Sequence, residues 1–190
     1  MLKVVSFIVL MVLSNNLLAQ YGDSLVNVTK TSSHLNIPGT KICVLIPEGF
    51  NLSTNFIGLQ KDDETAIQIF DLDGGDFYSN SRNISRETFQ NKGFLVLSYK
   101  EFTFGGYPAK YLQMEAGDHL IQLLSFGDTT FSTSLQAASL IFDRKSISDV
   151  TSILFSVYYD KTIVIDPFKL APFTLDDSNS IVKFAKYTAN

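Results

Sequence analysis

The sequence predicts an α+β domain: an antiparallel sheet with a four-stranded central meander, flanked by helices on its faces. Two observations support this prediction. Three glycine-led dipeptides, beginning at Gly105, Gly117 and Gly127, divide residues 94–137 into four segments rich in aromatic and β-branched residues, and such dipeptides are typical of tight hairpins. Apolar residues at three- and four-residue spacing then predict a helix over residues 146–158. Mostly antiparallel strands combined with a few helices define the α+β class.

The N-terminus has the pattern of an export signal. Lys3 precedes an unbroken, mostly apolar run over residues 4–13, and Ala19 provides the small residue that a signal peptidase requires. The run is shorter than the roughly 20 residues that cross a bilayer as a helix. We therefore expect a signal peptide at residues 1–19, no transmembrane helix after its cleavage, and a periplasmic or secreted protein.

The rest of the chain is about the size of one domain with an appendage. Domains commonly contain roughly 100 to 200 residues, and we predict an extended N-terminal segment at residues 20–36, the α+β domain at 37–165 and a C-terminal appendage at 166–190. Prolines near 166–172 indicate the boundary. Residues 173–190 have two interpretations: they lie against the domain, or they begin a further unit.

Several elements are expected around the central meander. Residues 41–46 and 66–72 have the composition of strands, and residues 162–165 are a further strand candidate. A helix is predicted within residues 84–92, with Ser81 or Ser85 as its N-cap and Gly93 ending it.

The second predicted helix, residues 146–158, begins at Ser146, with Asp149 three positions later in a pattern like a capping box. Its apolar stripe is expected to cover the sheet. The stripe consists of Ile147, Val150, Ile153, Leu154 and Val157.

Two-residue turns also predict the register of the meander, because the turn length determines which residues lie opposite each other. One face is expected to form the core, with Tyr99, Leu112, Leu123 and Ser132 in one row and Leu97, Met114, Ile121 and Ser134 in the next. The other face is expected to be mixed in polarity and to contain four rows. They are Lys100, Tyr111, Leu124 and Phe131; Phe102, Ala109, Phe126 and Thr129; the polar row Ser98, Gln113, Gln122 and Thr133; and, beyond it, Val96, Glu115, Leu120 and Leu135. A sheet with one wet face would alternate cleanly, so we expect some cover on both faces.

Four short motifs occur in a fixed order along the chain. They are Ile-Pro-Glu-Gly-Phe at 46–50, Gly-Phe-Leu-Val at 93–96, Phe-Gly-Gly-Tyr-Pro-Ala at 104–109 and Phe-Gly-Asp at 126–128. Together they resemble the PsbP-like superfamily over about residues 37–160. The resemblance implies an α+β fold and a role as an accessory or binding protein, since members share a shape while doing different jobs. The matching positions are turns and core residues, so no functional residue is carried over.

Charge and cysteine content exclude several classes of function. The formal net charge is −4, without a basic stripe of the kind that binds nucleic acid, and we expect no nucleic-acid partner. Cys43 is the single cysteine, so an internal disulfide cannot form. Its position in an apolar strand predicts a buried small residue, and an exposed reactive thiol is the alternative.

Carboxylates at Asp71, Asp73 and Asp76 resemble a calcium loop, because closely spaced acidic side chains and glycines suit a hard cation. However, an EF-hand has glycine at the sixth position and glutamate at the twelfth, where this chain has Asp76 and Arg82. A solvated turn explains the cluster as well. Asp118 next to His119 is a metal-ligand pair without a third ligand. We therefore predict no metal and no other cofactor.

No catalytic constellation is visible, because the chain has no serine elbow with a base oriented by a carboxylate. We expect a noncatalytic protein that binds a partner protein in the envelope or extracellular space. The alternative is a carrier of a small apolar ligand on the aromatic sheet face, with Phe102, Tyr111, Phe126 and Phe131 as its binding residues. In the simpler interpretation these aromatic side chains pack beneath Ile84 and Phe89 of the first helix.

Overall fold

A computed structural model describes residues 25–165. The predicted signal peptide, the proposed appendage at 166–190 and the two interpretations of residues 173–190 lie outside the described residues. Within the predicted extended segment 20–36, the described part contains two short strands that pair with the sheets. No helix within residues 25–165 combines the length and the hydropathy needed to cross a bilayer.

The secondary structure of residues 25–165 alternates short strands, short helices and one long meander. The strands are β1 (Leu25–Val26), β2 (Leu35–Asn36), β3 (Ile42–Val44), β4 (Asn51–Leu52), β5 (Gly58–Gln60), β6 (Ala66–Asp73), β7 (Leu95–Phe104), β8 (Tyr107–Ala116), β9 (His119–Gly127), β10 (Phe131–Leu140) and β11 (Tyr158–Tyr159). The helices are α1 (Phe77–Asn80), α2 (Arg86–Asn91) and α3 (Arg144–Phe155). The strand expected at residues 162–165 is absent from this part of the chain.

These strands form two sheets. The large sheet has eight strands in the order β1-β7-β8-β9-β10-β6-β5-β4, and the small sheet has the order β11-β3-β2. All pairs are antiparallel except β1 with β7. The predicted α+β class and the central meander β7–β10 are therefore confirmed.

The first two hairpins have the predicted register, apart from one bulge. Tyr99 lies opposite Leu112, and Leu112 lies opposite Leu123. The register of β7 shifts between Val96 and Ser98, because Leu97 is an extra residue in the ladder. Val96 therefore lies opposite Met114 and is buried, whereas the prediction placed Leu97 there and Val96 opposite Glu115.

The third hairpin is four residues out of the predicted register. Gln136, not Ser132, lies opposite Leu123, and Leu135, not Phe131, lies opposite Leu124. Gly127 belongs to β9 instead of starting the turn, and the Asp128 carboxylate accepts hydrogen bonds from the backbone N–H and the hydroxyl of Thr130 at 2.7 and 2.6 Å. This side-chain turn is longer than the two residues assumed, and the even shift leaves each residue on its predicted face.

The shift also corrects the other predicted rows. Across β7–β10 they read Lys100, Tyr111, Leu124, Leu135; Phe102, Ala109, Phe126, Thr133; Ser98, Gln113, Gln122, Ala137; Leu95, Glu115, Leu120, Ser139; and Val96, Met114, Ile121, Ala138.

The face predicted to be mixed is the main core. We term it the aromatic face; it is covered by α3 and by β3 of the small sheet. Its buried sheet residues include Phe104, Ala109, Tyr111, Leu124, Phe126, Phe131, Leu135 and Ala137, and the covering elements contribute Ile42, Val44, Val150, Ile153 and Leu154. Burial of Cys43 in β3 agrees with its predicted position as a small core residue.

The opposite face, predicted to be the core, carries a smaller cluster. Val96, Leu112, Met114 and Leu123 are buried there beneath Ile84, Phe89 and Phe94. Cover on both faces is therefore confirmed, with the larger core on the face that was expected to be mixed. A sequence pattern could not reveal this, because the polar residue Gln122 lies inside the larger core, where both its amide oxygen and its amide nitrogen have hydrogen-bond partners.

The caps of the helices explain their boundaries. Ser85 caps α2 by accepting from the Thr88 N–H, and Gly93 follows its end with φ +89°, as predicted. Helix α3 begins earlier than predicted, because Asp143 is its N-cap and accepts from the Ser146 N–H at 3.0 Å. The short helix α1, which was not predicted, is capped by Asp76.

Candidate binding surfaces

The four aromatic residues predicted to hold a ligand do lie on one face, but that face is filled by protein. Tyr111, Phe126 and Phe131 are all buried. Phe155 of α3 packs against Phe102 and Tyr111, with ring centroids 6.3 and 5.3 Å away. The helix α3 therefore occupies the space that an apolar ligand would need over most of this face.

The simpler interpretation of these aromatic residues needs a correction as well. Ile84 and Phe89 lie on the opposite face of the sheet, where they pack with Leu112 and Leu123. The aromatic cover comes instead from Phe155 and from Tyr159, whose ring stacks on Phe131 at 4.0 Å with an interplanar angle of 11°. The four aromatic residues lie on one face as predicted, whereas Ile84 and Phe89 lie on the face opposite to the one predicted for them.

The carboxylates predicted as a possible calcium loop do not converge. Asp71 points into the aromatic face, accepting from the Lys41 N–H at 2.7 Å and the Thr133 hydroxyl at 2.7 Å, and burial raises its pKa. Asp73 pairs with the Lys41 ammonium at 3.1 Å. Asp76 caps α1, where the Ser79 hydroxyl lowers its pKa. Residues 25–165 contain no group of three potential metal ligands arranged around one point.

The two histidines have different partners. His119 lies opposite Ala116, with its Nε2 atom 2.9 Å from Glu64 and its Nδ1 atom 2.7 Å from Asp118. Because each ring nitrogen faces a different carboxylate, the three groups form an ion-pair chain. The contact with Glu64 is the main cause of the raised pKa of His119.

His34 is buried. Its Nδ1 atom lies 2.9 Å from the Thr31 hydroxyl and its Nε2 atom 3.0 Å from the carbonyl of Ser156. A carbonyl cannot orient the ring as the carboxylate of a hydrolytic triad does. This histidine connects the N-terminal segment to the end of α3.

The opposite face of the large sheet carries an open groove of about 500 Å³ beside α1. Its lining residues come from α1 and from the β7–β8 hairpin: Phe77, Tyr78, Ser81, Glu101, Phe102, Thr103, Gly106, Pro108, Ala109 and Lys110. Lys110 extends across its base, donating to the carbonyls of Ser81 and Ile84 at 2.9 and 3.2 Å. Glu101 lies opposite Lys110 in the β7–β8 ladder, with its Oε1 atom 3.8 Å from the Lys110 Nζ atom.

Apolar side chains surround α1 and point to solvent. Tyr78 is 55% exposed, and on the neighbouring strand β6 Leu72 is 50% exposed and Phe70 is 40% exposed. Leu72 and Asn80 of α1 both adjoin Gly75, where an added Cβ would meet each of them at 3.0 to 3.2 Å. The side chains of Phe70, Leu72 and Tyr78, together with that of Arg82, which follows α1, are termed the α1 surface.

The α1 surface is firmly anchored beneath its exposed side chains. Phe77 is buried, and its backbone N–H donates to the carbonyl of Asp128 in the β9–β10 turn at 2.9 Å. Lys110 holds the carbonyl of Ser81 at the other end of the helix. A helix of this length has little stability of its own, so these two contacts fix it on the sheet.

The segment that contains α1 and α2 also carries cations without carboxylate partners. Within residues 25–165, Arg82, Arg86 and Lys92 form no ion pair, whereas most lysines elsewhere do. Arg86 donates to the carbonyl of Val96 instead, and Lys92 lies over the ring of Phe89. This segment therefore carries three cations without ion pairs in the described chain, together with the carboxylates of Asp76 and Glu87.

Comparison with known proteins gives similarities of fold only. No protein-family profile matches the chain, and no curated protein matches it. The structure is similar to LpqN of Mycobacterium tuberculosis, described as involved in cell envelope biogenesis, with 14% identity, a TM-score of 0.47, and coverage of 72% of this chain and 89% of LpqN. It is also similar to the cyanobacterial PsbP of Synechocystis sp. PCC 6803, with 8% identity, a TM-score of 0.46, and coverage of 73% of this chain and 98% of the PsbP chain.

The second of these structures is a PsbP protein, the type that the four sequence motifs resemble. At such low identity, no functional residue is transferred from either protein to this chain. The surfaces of the chain must be interpreted from their own geometry and charge.

Proposed function

We propose that this chain is an exported, noncatalytic binding protein of the cell envelope or extracellular space, which docks a partner protein on its α1 surface. The observation that carries the proposal is the contrast between the two faces of the large sheet. The aromatic face is closed by α3 and the small sheet, while the opposite face leaves Phe70, Leu72 and Tyr78 exposed, and Tyr78 also lines an open groove.

The chemistry of the surface defines the kind of partner. Exposed aromatic and aliphatic side chains on a rigid base are typical anchors of protein interfaces, and tyrosine and arginine are common at their energetic centres. Arg82, Arg86 and Lys92 complement carboxylates. We therefore expect a partner that presents an apolar side chain to the groove and acidic residues to the rim.

A noncatalytic role is supported by the engagement of the polar groups that could do chemistry. His34 binds a hydroxyl and a carbonyl, His119 is held between two carboxylates, and Cys43 is buried. None of these groups lines the groove beside α1. Binding that depends on shape and charge alone is consistent with this surface.

The export step is tested on the protein itself. We expect intact-mass measurement of the protein from its native host to give a chain that begins at Gln20, recovered from the envelope or the medium. Recovery of the uncleaved chain from the cytosol would contradict the export signal. The docking proposal would then need a cytosolic partner, which the next experiment would reveal separately.

The docking step is tested by photocrosslinking followed by reconstitution. A benzoylphenylalanine at position 78 is expected to capture a partner, and the same probe at position 142 serves as the matched control, because Phe142 is 73% exposed and lies after β10. The captured protein is then purified and its binding measured by calorimetry. We expect Tyr78→Ala to weaken binding about tenfold or more, as at an interface anchor.

Charge reversal separates the electrostatic contribution from the apolar one. Arg82→Glu should weaken binding and reduce its dependence on salt, since a rim charge acts through a screened attraction. Phe142→Ser should leave the affinity unchanged. Equal capture from positions 78 and 142, or wild-type affinity for both Tyr78→Ala and Arg82→Glu, would remove the α1 surface as the docking site.

A further inference from the structure

One end of the aromatic face is not filled by α3. A cavity of about 270 Å³ lies there between Val28, the β7–β8 turn and residues 157–162. Its lining is predominantly aromatic and apolar, with three polar residues at one side: Val28, Phe104, Gly105, Tyr107, Phe126, Val157, Tyr158, Tyr159, Asp160, Lys161 and Thr162. Phe126 is the one residue of the predicted ligand set that reaches it.

The aromatic walls of this cavity are held in place by contacts with one another. Tyr107 meets Phe131 edge-on at 4.8 Å, and Phe131 stacks on Tyr159. Phe104 and Phe126 lie 5.3 Å apart and are almost completely buried. Because these rings belong to the main core, the cavity is a preformed space with rigid walls, as small-molecule sites usually are.

Lys161 supplies a positive charge beside this apolar space. Its Nζ atom lies 5.0 Å from the ring centroid of Tyr107 and 5.7 Å from that of Phe131. It forms no ion pair with any carboxylate of residues 25–165. The contact with Tyr107 and, at longer range, the Asp128 carboxylate raise the pKa of Lys161. The Asp128 carboxylate itself accepts hydrogen bonds from the N–H and the hydroxyl of Thr130.

The neighbouring carboxylate does not neutralise this charge. Asp160 is paired with the Lys30 ammonium at 2.5 Å and accepts from the N–H and the hydroxyl of Thr162 at 3.0 and 2.5 Å. These donors lower the pKa of Asp160 to about 2. The acidic group is therefore satisfied, and the ammonium of Lys161 is left available to an anion.

We propose that this cavity binds a small organic anion, whose apolar body enters between Phe104, Tyr107 and Phe126 and whose anionic group pairs with Lys161. The site lies on the aromatic-face side of the sheet, away from the α1 surface, and does not depend on the docking proposal. Its volume is slightly below the roughly 300 to 1,000 Å³ of common ligand sites, so a body about the size of one ring suits it.

An organic cation is the opposing possibility, because aromatic rings also attract ammonium groups. However, the exposed side of Tyr107 and Phe131 already carries the ammonium of Lys161. A second cation would have to displace it or lie beside it, against their mutual repulsion. The position of the Lys161 ammonium over these two rings therefore favours an anion.

Three probes with the same apolar body and different charges test this proposal. They are 3-phenylpropionate, 3-phenylpropanol and 3-phenylpropylammonium, titrated into the purified protein while the backbone amide resonances of residues 157–162 are followed by NMR. We expect saturable shifts with 3-phenylpropionate, and an affinity about two- to fivefold higher than that of the alcohol, the range of an exposed ion pair. The ammonium probe should bind more weakly than the alcohol.

Two variants locate the interaction. Lys161→Gln should remove the preference for the anion while leaving the affinity for the alcohol unchanged, and Lys100→Gln, at another exposed lysine without an ion pair in the described chain, should change neither. Val28→Phe should fill the cavity and abolish the shifts with all three probes.

The proposal is overturned by any of three results: no saturable shift at residues 157–162 with 3-phenylpropionate, equal or tighter binding of the ammonium or alcohol probe, or an anion preference that survives Lys161→Gln. If Val28→Phe does not fold, the Lys161→Gln comparison still decides the question, because that side chain is exposed.

Discussion

The hydroxyl of Tyr111 on β8 donates a 2.7 Å hydrogen bond to Oε1 of Gln122 on β9, inside the main core. The same oxygen accepts from the Thr151 hydroxyl of α3 at 2.9 Å, and the Gln122 amide donates to the carbonyl of Ile147 at 3.3 Å. Burial raises the pKa of Tyr111 to about 12. A hydrogen-bonded polar group thus joins the sheet to its covering helix, which explains how a glutamine is tolerated in this core.

The Tyr111–Gln122 pair predicts unequal costs for removing its two members. Tyr111→Phe removes one donor, but the Gln122 oxygen still accepts a hydrogen bond from the Thr151 hydroxyl. This change should therefore lower the free energy of unfolding by about 0.5 to 1.5 kcal/mol. Gln122→Leu leaves the Tyr111 hydroxyl buried without this partner, and should cost about 1 to 3 kcal/mol. Urea denaturation measures both changes, and a larger loss for Tyr111→Phe would contradict the arrangement.

Helix α3 should contribute strongly to stability through Leu154, which is fully buried. Leu154→Ala removes its apolar contacts and leaves a cavity, so we expect a loss of about 2 to 5 kcal/mol in the free energy of unfolding. Leu97→Ala is the matched control, because Leu97 is 46% exposed and surface changes usually stay within about 0.5 kcal/mol. A loss below that value for Leu154→Ala in a denaturant melt would mean that α3 does not cover the core.

Two glycines in the meander should differ in their tolerance of alanine. Gly127 has φ +155°, and an added Cβ would lie 2.3 Å from the carbonyl oxygen of Phe131, so the backbone must move. Gly127→Ala should therefore cost about 2 to 4 kcal/mol. Gly117 has φ +65° and open space around it, so Gly117→Ala should cost only about 1 to 2 kcal/mol. Thermal melts of the two variants compare them, and equal losses would argue against the β9–β10 register.

The ion-pair chain around His119 predicts a pH dependence of stability. Glu64 and Asp118 both raise the pKa of His119 above its ordinary value of 6.5. Because the folded pKa is higher than the unfolded one, the stabilisation is fully present below the unfolded value and is lost as the pH rises through the folded value. For such an exposed group its size is about 0.2 to 1 kcal/mol.

NMR titration of the His119 ring measures this pKa directly. Glu64→Gln should lower it more than Asp118→Asn does, since the hydrogen bond to Glu64 is the largest cause of the shift. Added salt should reduce the effect, because exposed charges are screened. A pKa at or below 6.5 in the unmodified protein would contradict the pairing.

Local sequence signals predicted well those turns and helix ends that depend only on residues close together in the chain. The turn at Gly105–Gly106 has two positive φ angles, as its glycines predict, and the cap at Ser85 and the stop at Gly93 occur as expected. The shift at Asp128 was not predictable in the same way. Glycine at 127 matched a two-residue turn, but only the contacts of the Asp128 side chain with Thr130 reveal the longer one.

The candidate surfaces were less predictable than the fold. Phe102, Tyr111, Phe126 and Phe131 were correctly assigned to one face, because strand residues alternate with period two. Which element covers that face depends on where α3 and the small sheet pack, and this is set by contacts between residues far apart in sequence. The groove beside α1 was missed for the same reason, since it is formed by two segments that are separated along the chain.

By itself, the amino-acid sequence determined the α+β class, the meander, the caps of α2 and, apart from the bulge that moves Val96, the face on which the meander residues lie. These features depend on backbone preferences and on alternation, which act between near neighbours. Only the tertiary structure decided which face became the main core. It also decided that Tyr78 remains exposed and that Lys161 lies over aromatic rings from β8 and β10. Burial and charge pairing depend on the packing of distant segments, so they are properties of the assembled fold.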